Sequence, residues 1–435
     1  MLDRWEPEDQ QFWEQTGKGV ANRTLWITTG ALFLSFATWF MWSAIIVRMP
    51  NVGFQLSAMQ KFWLAAMPGL SGATLRIPYT FLIQKFGTRK VVTLATASLL
   101  IPALAAGWVV QHPGTSFTLL LFLAFLAGFG GGNFAAFMSS TSYFFPKRKQ
   151  GLALGIQAGI GNFGVSATQF IVPAVITTGV FATIFGGAQA FVKDGKTSDL
   201  WLQNAGYIYV IPVLLFTIAA AIWLRDIPVK GTISGQFVIF KEKHNWFMTS
   251  LYFMTFGSFS GLSASFPLMI KELFQDIPNP PDPLAYAFLG PLIGSAIRPI
   301  GGWISDKTGG AIITHISGIM LLAGAIVVTF FTTGDNFTMF LVVMLVLFFA
   351  AGLGNGSTFR QIPIIFDPKK AGPVLGWTSA IAAYGSFLFP VLIGWSISKT
   401  GGSPNAFFYF MAVFFAANVA LNWYYYTRKK AEVRC

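Results

Sequence analysis

The sequence predicts an all-α membrane protein with twelve transmembrane helices in two six-helix halves. The chain has 435 residues, of which 54% are hydrophobic and only 10% are charged. Because soluble domains carry roughly 25% charged residues, this composition favours a polytopic membrane protein. Apolar stretches of about 20 residues, the length at which a helix spans a bilayer, recur along the chain between charged, Pro and Gly residues.

Twelve such spans can be placed from hydropathy and from the residues that break helices. They cover approximately 24–47, 60–83, 90–110, 116–144, 150–178, 205–224, 246–270, 284–305, 310–332, 337–362, 372–398 and 404–426. A long polar connection separates the first six spans from the last six. The expected divisions are a terminal segment 1–23, a six-helix half 24–224, a linker 225–245, a second half 246–427 and a tail 428–435.

Positive charge lies mainly on the termini and on one set of alternating loops. About 20 of the 29 Lys and Arg residues fall in the segments 4–23, 85–90, 147–149, 225–243, 307, 369–370 and 428–434. Since Lys and Arg mark the cytoplasmic loops of membrane proteins, we expect both termini in the cytoplasm. This placement argues against a nucleic-acid partner, although the net charge is +13. Trp5, Phe12 and Trp13 fit either an interfacial helix or an unstructured tail.

An internal repeat relates the two halves. Residues that recur 222 positions later in the chain are Arg76, Lys85 and Gly87, repeated as Arg298, Lys307 and Gly309. Further short matches at nearly the same offset fall in spans 4 and 5 and in the loop between them. Two six-helix halves of parallel topology, related by an axis along the membrane normal, form the major facilitator plan, in which the substrate lies near the midplane between the halves.

Arg76 and Arg298 are the most informative residues of the repeat, because both lie deep inside apolar spans. An arginine at mid-bilayer depth costs at least about 2.5–3.5 kcal/mol on insertion scales, and a guanidinium cannot lose its proton to avoid that cost. No Asp or Glu accompanies either residue in its span. The simplest missing partner is an anionic substrate, although a lone arginine could also snorkel or bind backbone carbonyls.

Five segments form a distinctive set of motifs: the Gly- and Asn-rich runs at 127–169 and 351–390, RIPY at 76–79, YFMTFGSF at 252–259 and RWEPEDQQFW at 4–13. Together they resemble the nitrate/nitrite porter family of the major facilitators. The resemblance covers essentially the whole chain. It implies a monomeric nitrate and nitrite transporter without a cofactor, embedded in the lipid bilayer of the bacterial inner membrane.

The resemblance also implies roles for individual residues. The implied substrate-binding residues are Arg76, Arg298, Asn162, Tyr252, Phe36, Phe134 and Phe256. The implied conformational glycines are Gly155, Gly159, Gly161 and Gly164 in helix 5 and Gly376 and Gly385 in helix 11. Taken singly, Asn162 could be a helix–helix hydrogen bond, Tyr252 could be a core residue, and the glycines could serve plain helix packing.

The loop 302–310 and Arg360 lie outside the expected binding site and are interpreted separately. The loop 302–310 resembles the G-x-x-x-D-[RK]-x-G loop of major facilitators, but its first-half copy has Gln84 where the family usually has Asp. A charge latch in the first half is therefore in doubt. Arg360 lies near the cytoplasmic end of span 10, where snorkelling or a lipid phosphate would account for it.

The coupling mode follows from the acidic residues. Proton coupling normally uses a buried titratable group, yet all 16 acids are expected in tails, loops or interfacial ends. We therefore predict nitrate/nitrite exchange, with nitrate/proton symport as the alternative. A porter for a larger anion and an anion channel remain further readings. An enzyme is disfavoured, because the sequence shows no metal-ligand cluster, nucleophile–base pair or cofactor motif.

Overall fold

The computed structural model describes residues 4–180, 184, 186–193, 196–228, 234–334 and 336–435. Within these ranges the chain forms twelve long helical segments, in agreement with the twelve predicted spans. They are helix 1 (Gln10–Val52), helix 2 (Ala58–Phe86), helix 3 (Thr88–Val109), helix 4 (Phe117–Phe144), helix 5 (Lys147–Val175), helix 6 (Asn204–Trp223), helix 7 (Lys243–Phe274), helix 8 (Pro283–Thr308), helix 9 (Gly310–Val328), helix 10 (Phe337–Ile365), helix 11 (Pro368–Ala383 and Gly385–Lys399) and helix 12 (Asn405–Thr427).

Ten of these segments are long and apolar enough to cross a membrane by length and composition. Helices 2 and 5 are the two that are less apolar, and they carry the buried polar residues Arg76 and Asn162. Polar residues that face the inside of a bundle lower the mean hydropathy of a helix without exposing charge to lipid. The less apolar helices therefore mark where the interior is polar.

Helix 1 begins at Gln10, well before the predicted residue 24. The Asp9 side chain caps this start by accepting hydrogen bonds from the backbone N–H groups of residues 11 and 12. Trp13 is buried against Phe145, and Trp5 Nε1 donates to the Tyr143 carbonyl at 3.1 Å. An unstructured tail is therefore wrong for the described part of this segment, which packs on the end of helix 4.

A small antiparallel sheet is the exception to the all-α prediction. Strands β1 (Gln189–Lys193) and β2 (Lys196–Leu200) form a hairpin between helices 5 and 6. The hairpin packs on the end of helix 1, where Asn51 Nδ2 donates to the Val192 carbonyl at 3.2 Å and Arg48 lies 5.7 Å from the Phe191 ring. Residues 194 and 195 between the strands, and residues 229–233 of the predicted linker, lie outside the described residues.

The repeat is visible in the backbone where helices 2 and 8 end. Gly87 has φ of 81° and Gly309 has φ of 96°, so both matched glycines end their helices with a positive φ that glycine adopts readily. In each half, the segment that follows the last helix contacts the start of the third helix, which is helix 3 in the first half and helix 9 in the second. Asp226 Oδ1 accepts from the Arg89 N–H at 2.8 Å, and the Cys435 carbonyl accepts from the Ala311 N–H at 3.1 Å.

The side of the bundle that carries both chain termini is called here the terminal face, and the other side the opposite face. On the opposite face, the ion pair Lys61–Glu272 joins helix 2 to helix 7, and its side chains are only 8% and 6% exposed. Arg48 and Asp282 form a second pair at 2.6 Å. Glu272 lies near the end of helix 7, as expected for the acids, but its carboxylate is buried and paired rather than exposed.

Candidate functional site

Arg76 lies at the boundary between the two halves and is completely buried. Its Nε donates to the Gly131 carbonyl of helix 4 at 3.0 Å, and its Nη1 donates to the Ser379 carbonyl of helix 11 at 2.9 Å. These contacts fix the guanidinium between the halves. The third nitrogen, Nη2, is buried without a hydrogen-bond partner in the described chain, so the group keeps free donors for a ligand.

Aromatic rings surround this guanidinium. The Arg76 Cζ lies 4.5 Å from the centre of the Phe134 ring, 5.2 Å from Phe256 and 5.3 Å from Trp39. Ring faces attract a cation and at the same time exclude water. The ring of Phe36 packs edge-on against Phe134 and Trp39, with centroids 6.0 and 5.4 Å apart. Phe36 therefore supports the aromatic wall from behind.

Arg298 approaches the same region from the second half. It is 5% exposed, and its Cζ lies 5.6 Å from the centre of the Phe359 ring. The Tyr252 ring lies 5.9 Å from the Phe359 ring that contacts Arg298. Tyr252 in turn stacks on Phe256 with ring centroids 5.6 Å apart. Five of the seven predicted binding residues thus form one cluster: Arg76, Arg298, Tyr252, Phe134 and Phe256.

Neither guanidinium takes part in any of the salt bridges between described residues. Two buried cations without carboxylates make a site that is positive and poorly hydrated. In such a low-dielectric setting a bound anion interacts strongly with both charges. The arrangement can therefore hold a small anion between Arg76 and Arg298.

Asn162 is fully buried on helix 5, and its Oδ1 and Nδ2 lack hydrogen-bond partners among the residues described. Gly159, one turn earlier on the same helix, faces Pro299 of helix 8, since a Cβ there would lie 3.5 Å from the proline ring. Asn162 therefore lies at nearly the same depth in the helix bundle as Arg298. Its unpaired amide agrees better with a ligand-facing residue than with a helix–helix hydrogen bond.

The predicted glycines of helix 5 fall into different environments. Gly161 and Gly164 face helix 1 so closely that a Cβ would clash with it. Gly159 contacts Pro299 in the other half without crowding, and Gly155 has nothing within 4 Å of an added Cβ. Close packing thus accounts for Gly161 and Gly164 in this state, whereas Gly155 has room for a side chain.

The predicted glycines of helix 11 show the same division. Gly385 touches the backbone of Gly257 in helix 7, within its own half, where a Cβ would clash. Gly376 faces Thr80 of helix 2 in the first half, and a Cβ there would lie 3.1 Å from the Thr80 methyl group. Each glycine-rich helix therefore combines contacts inside its half with a looser contact across the boundary.

Sequence reasoning missed four partners of the two arginines. They are the rings of Trp39 and Phe359 and the carbonyls of Gly131 and Ser379. For Phe359 a signal existed, because it lies in the Gly- and Asn-rich run of span 10. The carbonyl partners carried no sequence signal, since any residue at those positions presents the same group.

For two residues outside the site, Arg360 and Gln84, the structure shows side-chain partners that the sequence did not predict. Arg360 forms an ion pair with Asp306 in the last turn of helix 8, and both side chains are about half exposed (46% and 47%). Snorkelling or a lipid phosphate is therefore not needed to explain Arg360. In the first half, Gln84 Nε2 donates to the Tyr143 hydroxyl at 2.6 Å, so a neutral hydrogen bond stands where the second half has an ion pair.

Comparison with known proteins identifies the family. The model of the Major Facilitator Superfamily matches residues 29–390. The chain is 54% identical over 435 residues to the probable nitrate/nitrite antiporter NarK2 of Thermus thermophilus, with 99% of this chain and 97% of that protein covered. It is 39% identical over 455 residues to the nitrate/nitrite transporter NarU of Escherichia coli (strain K12), again with 99% and 97% covered.

A crystal structure of a bacterial homolog to the human lysosomal transporter Spinster has the same fold, with a TM-score of 0.66 and 14% sequence identity over 93% of this chain and 96% of that one. The similarity of fold and the matches over nearly full length lead to one conclusion. The chain belongs to the Major Facilitator Superfamily and, within it, to the nitrate/nitrite porters.

Proposed function

We propose that this protein exchanges nitrate for nitrite across the bacterial cytoplasmic membrane by alternating access. The relatives named as nitrate/nitrite transporters support the substrate class. The observation that carries the proposal is the pair of buried arginines, Arg76 and Arg298, which come from matched positions and face one cluster without a carboxylate. Only an anion can balance the positive charge of these two guanidinium groups.

Nitrate and nitrite fit the chemistry of the cluster. Both are planar, delocalised anions, and the guanidinium fork matches such oxygens with two parallel hydrogen bonds. Asn162 and Tyr252 supply neutral polar groups beside the anion. Phe36, Phe134 and Phe256 form or support its apolar wall, and the low dielectric they create strengthens each charge-assisted hydrogen bond.

The charge of the empty site is the reason to expect exchange rather than net transport. Without an anion the two guanidinium groups repel each other, so rearrangement of the halves around an empty site is unfavourable. A bound monovalent anion neutralises half of that charge and lowers the barrier. In this scheme the glycines of helices 5 and 11, namely Gly155, Gly159, Gly161, Gly164, Gly376 and Gly385, permit the close sliding that the rearrangement requires.

The proposal includes an orientation and an oligomeric state. The terminal face lies in the cytoplasm, because it carries most of the Lys and Arg residues. The transporting unit is a monomer in the lipid bilayer, since both arginines come from one chain and the site needs no residue from another.

The direct test uses the purified protein in proteoliposomes. Vesicles loaded with nitrite should take up external nitrate without a pH gradient, and vesicles loaded with sulfate should take up little. Uptake that depends strictly on an inward proton gradient, and not on internal nitrite, would overturn exchange.

Proton symport remains the second candidate because of one observation, the buried carboxylate of Glu272. A buried acid is the usual proton carrier, but this one is already paired with Lys61. If symport operates through it, Glu272→Gln should remove the proton dependence of uptake.

Substitution of Arg76 by Lys tests the site itself. The charge is kept but the fork is lost, so nitrate affinity should fall at least about ten-fold, or about 1.4 kcal/mol. The measurement is the Kd for nitrate by titration calorimetry, with Lys18→Arg on the exposed start of helix 1 as the control. An unchanged Kd for Arg76→Lys would place the anion elsewhere.

A further inference from the structure

Asn355 of helix 10 is a buried polar residue that the proposed site does not yet use. It is completely buried, and neither its Oδ1 nor its Nδ2 has a hydrogen-bond partner in the part of the chain that the structure describes. A buried amide that makes no hydrogen bond is unfavourable, and native proteins rarely keep one without a function. Asn355 therefore needs a partner that the protein alone does not supply.

The contacts of helix 10 place Asn355 at the depth of Arg298. On one side of it, Gly352 packs against the backbone of Gly294 in helix 8. On the other side, Gly356 packs against the carbonyl of Arg298 itself, so closely that a Cβ would clash. The backbones of helices 8 and 10 thus touch just before and just after Asn355.

The face of helix 10 that carries Asn355 points into the bundle. Phe359 follows four residues later, and residues at this spacing share one face of a helix. The Phe359 ring lies 5.6 Å from the Arg298 guanidinium and 5.9 Å from the Tyr252 ring. Arg360 and Ile364 mark the other side of the helix, where both side chains are exposed.

Ser295 shows that the unpaired amide is part of a polar layer. This residue precedes Arg298 by one turn of helix 8, is fully buried, and its hydroxyl has no hydrogen-bond partner among the described residues. Asn355 and Ser295 lie on adjacent helices at one depth, as the Gly352–Gly294 contact requires. The second half therefore offers unused donors and acceptors beside its arginine, as Asn162 does in the first half.

We propose that Asn355 is a further substrate-binding residue, whose amide N–H donates a hydrogen bond to the anion held by Arg298. This inference rests on the proposed function. A neutral amide adds a donor without adding charge, so it raises affinity for the anion and does not increase the repulsion within the empty site. Its fixed position also restricts the anion to a size that fits between Asn355 and the two arginines.

The test compares two buried asparagines by replacing each with leucine, which has a similar shape. Asn133 of helix 4 is the matched control, because its Nδ2 donates to Ser35 Oγ at 3.0 Å and to the Ala95 carbonyl at 2.9 Å. Asn355→Leu should keep or raise the Tm of the ligand-free protein and raise the KM for nitrate about ten-fold. Asn133→Leu should lower the Tm and leave the KM unchanged.

A second variant, Asn355→Asp, places a carboxylate where the anion's charge would lie. It should raise the Tm of the ligand-free protein and abolish the rise in Tm that nitrate causes in the wild type. The inference is overturned if Asn355→Leu keeps the wild-type KM, if it lowers the Tm as Asn133→Leu does, or if Asn355→Asp still responds to nitrate. Absence of any nitrate-dependent rise in Tm for the wild type would instead count against the proposed function.

Discussion

The two faces of the molecule hold its halves together in different ways. On the opposite face, the pairs Lys61–Glu272 and Arg48–Asp282 join the first half directly to the second. On the terminal face, no ion pair between described residues joins one half to the other: Asp306–Arg360 lies within the second half, and Lys370–Glu242 ties that half to the linker. The structure therefore represents a state in which the opposite face is locked by charge and the terminal face is not.

This difference indicates which bonds the transport cycle must break. Opening of the opposite face has to separate a buried ion pair, and separated buried charges are costly unless water reaches them. Opening of the terminal face separates no ion pair between the two halves among the described residues. We expect the barrier between the two states to lie mainly on the opposite face.

The largest effect is expected for Glu272→Gln, which leaves the Lys61 ammonium buried and unpaired. Removal of one partner of a buried pair costs about 3–5 kcal/mol, so the closed opposite face should be strongly destabilised. The measurement is labelling of a cysteine that replaces Phe54, a buried residue between helices 1 and 2 on the opposite face, by a membrane-impermeant thiol reagent in a Cys435→Ser background. The double variant Lys61→Met with Glu272→Leu should restore slow labelling. Equal labelling of Glu272→Gln and its parent would show that the pair is not a lock.

A smaller effect is expected for Arg48→Met on the same face. The Arg48 side chain is 14% exposed and Asp282 is 38% exposed, so solvent screens the pair and the loss should be about 1 kcal/mol. Labelling at position 54 should increase less than in Glu272→Gln and should depend on salt concentration. A change larger than that of Glu272→Gln would reverse the ranking of the two pairs.

A still smaller effect is expected for Asp226→Ala on the terminal face. The residue accepts a hydrogen bond from Arg89 N at the start of helix 3, and the loss of such a cap costs about 0.5–1 kcal/mol. The Tm should fall slightly, while labelling at position 54 stays at the parent rate. Increased labelling would show that the two faces are coupled through helix 3.

The smallest effect is expected for Asp306→Asn. Its partner Arg360 is half exposed, and an exposed pair contributes less than about 0.5 kcal/mol. The Tm should not change measurably. A clear drop in Tm would show that the end of helix 8, unlike its first-half copy with Gln84, depends on its charge for stability.

The number and order of the helices and the pairing of the two arginines could be predicted from the sequence alone. Hydropathy set the spans, and the repeat paired Arg76 with Arg298 because both lie at the same place in their halves. Burial of Glu272 was missed, because helix 7 continues past the apolar stretch and its last turn packs against helix 2. Hydropathy measures composition along one helix and cannot show what the neighbouring helix covers.

The side-chain partners of the site were predicted only in part. Phe134, Phe256 and Tyr252 followed from the family resemblance, and they do cluster with the arginines. Trp39 and Phe359 were missed, because their contact with a guanidinium depends on the rotation of helices 1 and 10 about their own axes. That rotation is set by glycine contacts such as Gly356 against Arg298, which involve residues distant in the chain.

The two guanidinium groups also have a consequence for the response to membrane voltage. Nitrate and nitrite each carry one negative charge, so the loaded site has the same net charge in both directions and a one-for-one exchange moves no charge across the membrane. An empty site would reorient with one additional positive charge, and a full crossing of that charge would be worth about 2.3 kcal/mol per 100 mV. We therefore expect one-for-one exchange to carry no net current and to reach an equilibrium that does not depend on the membrane potential, whereas any leak through the empty carrier should be electrogenic.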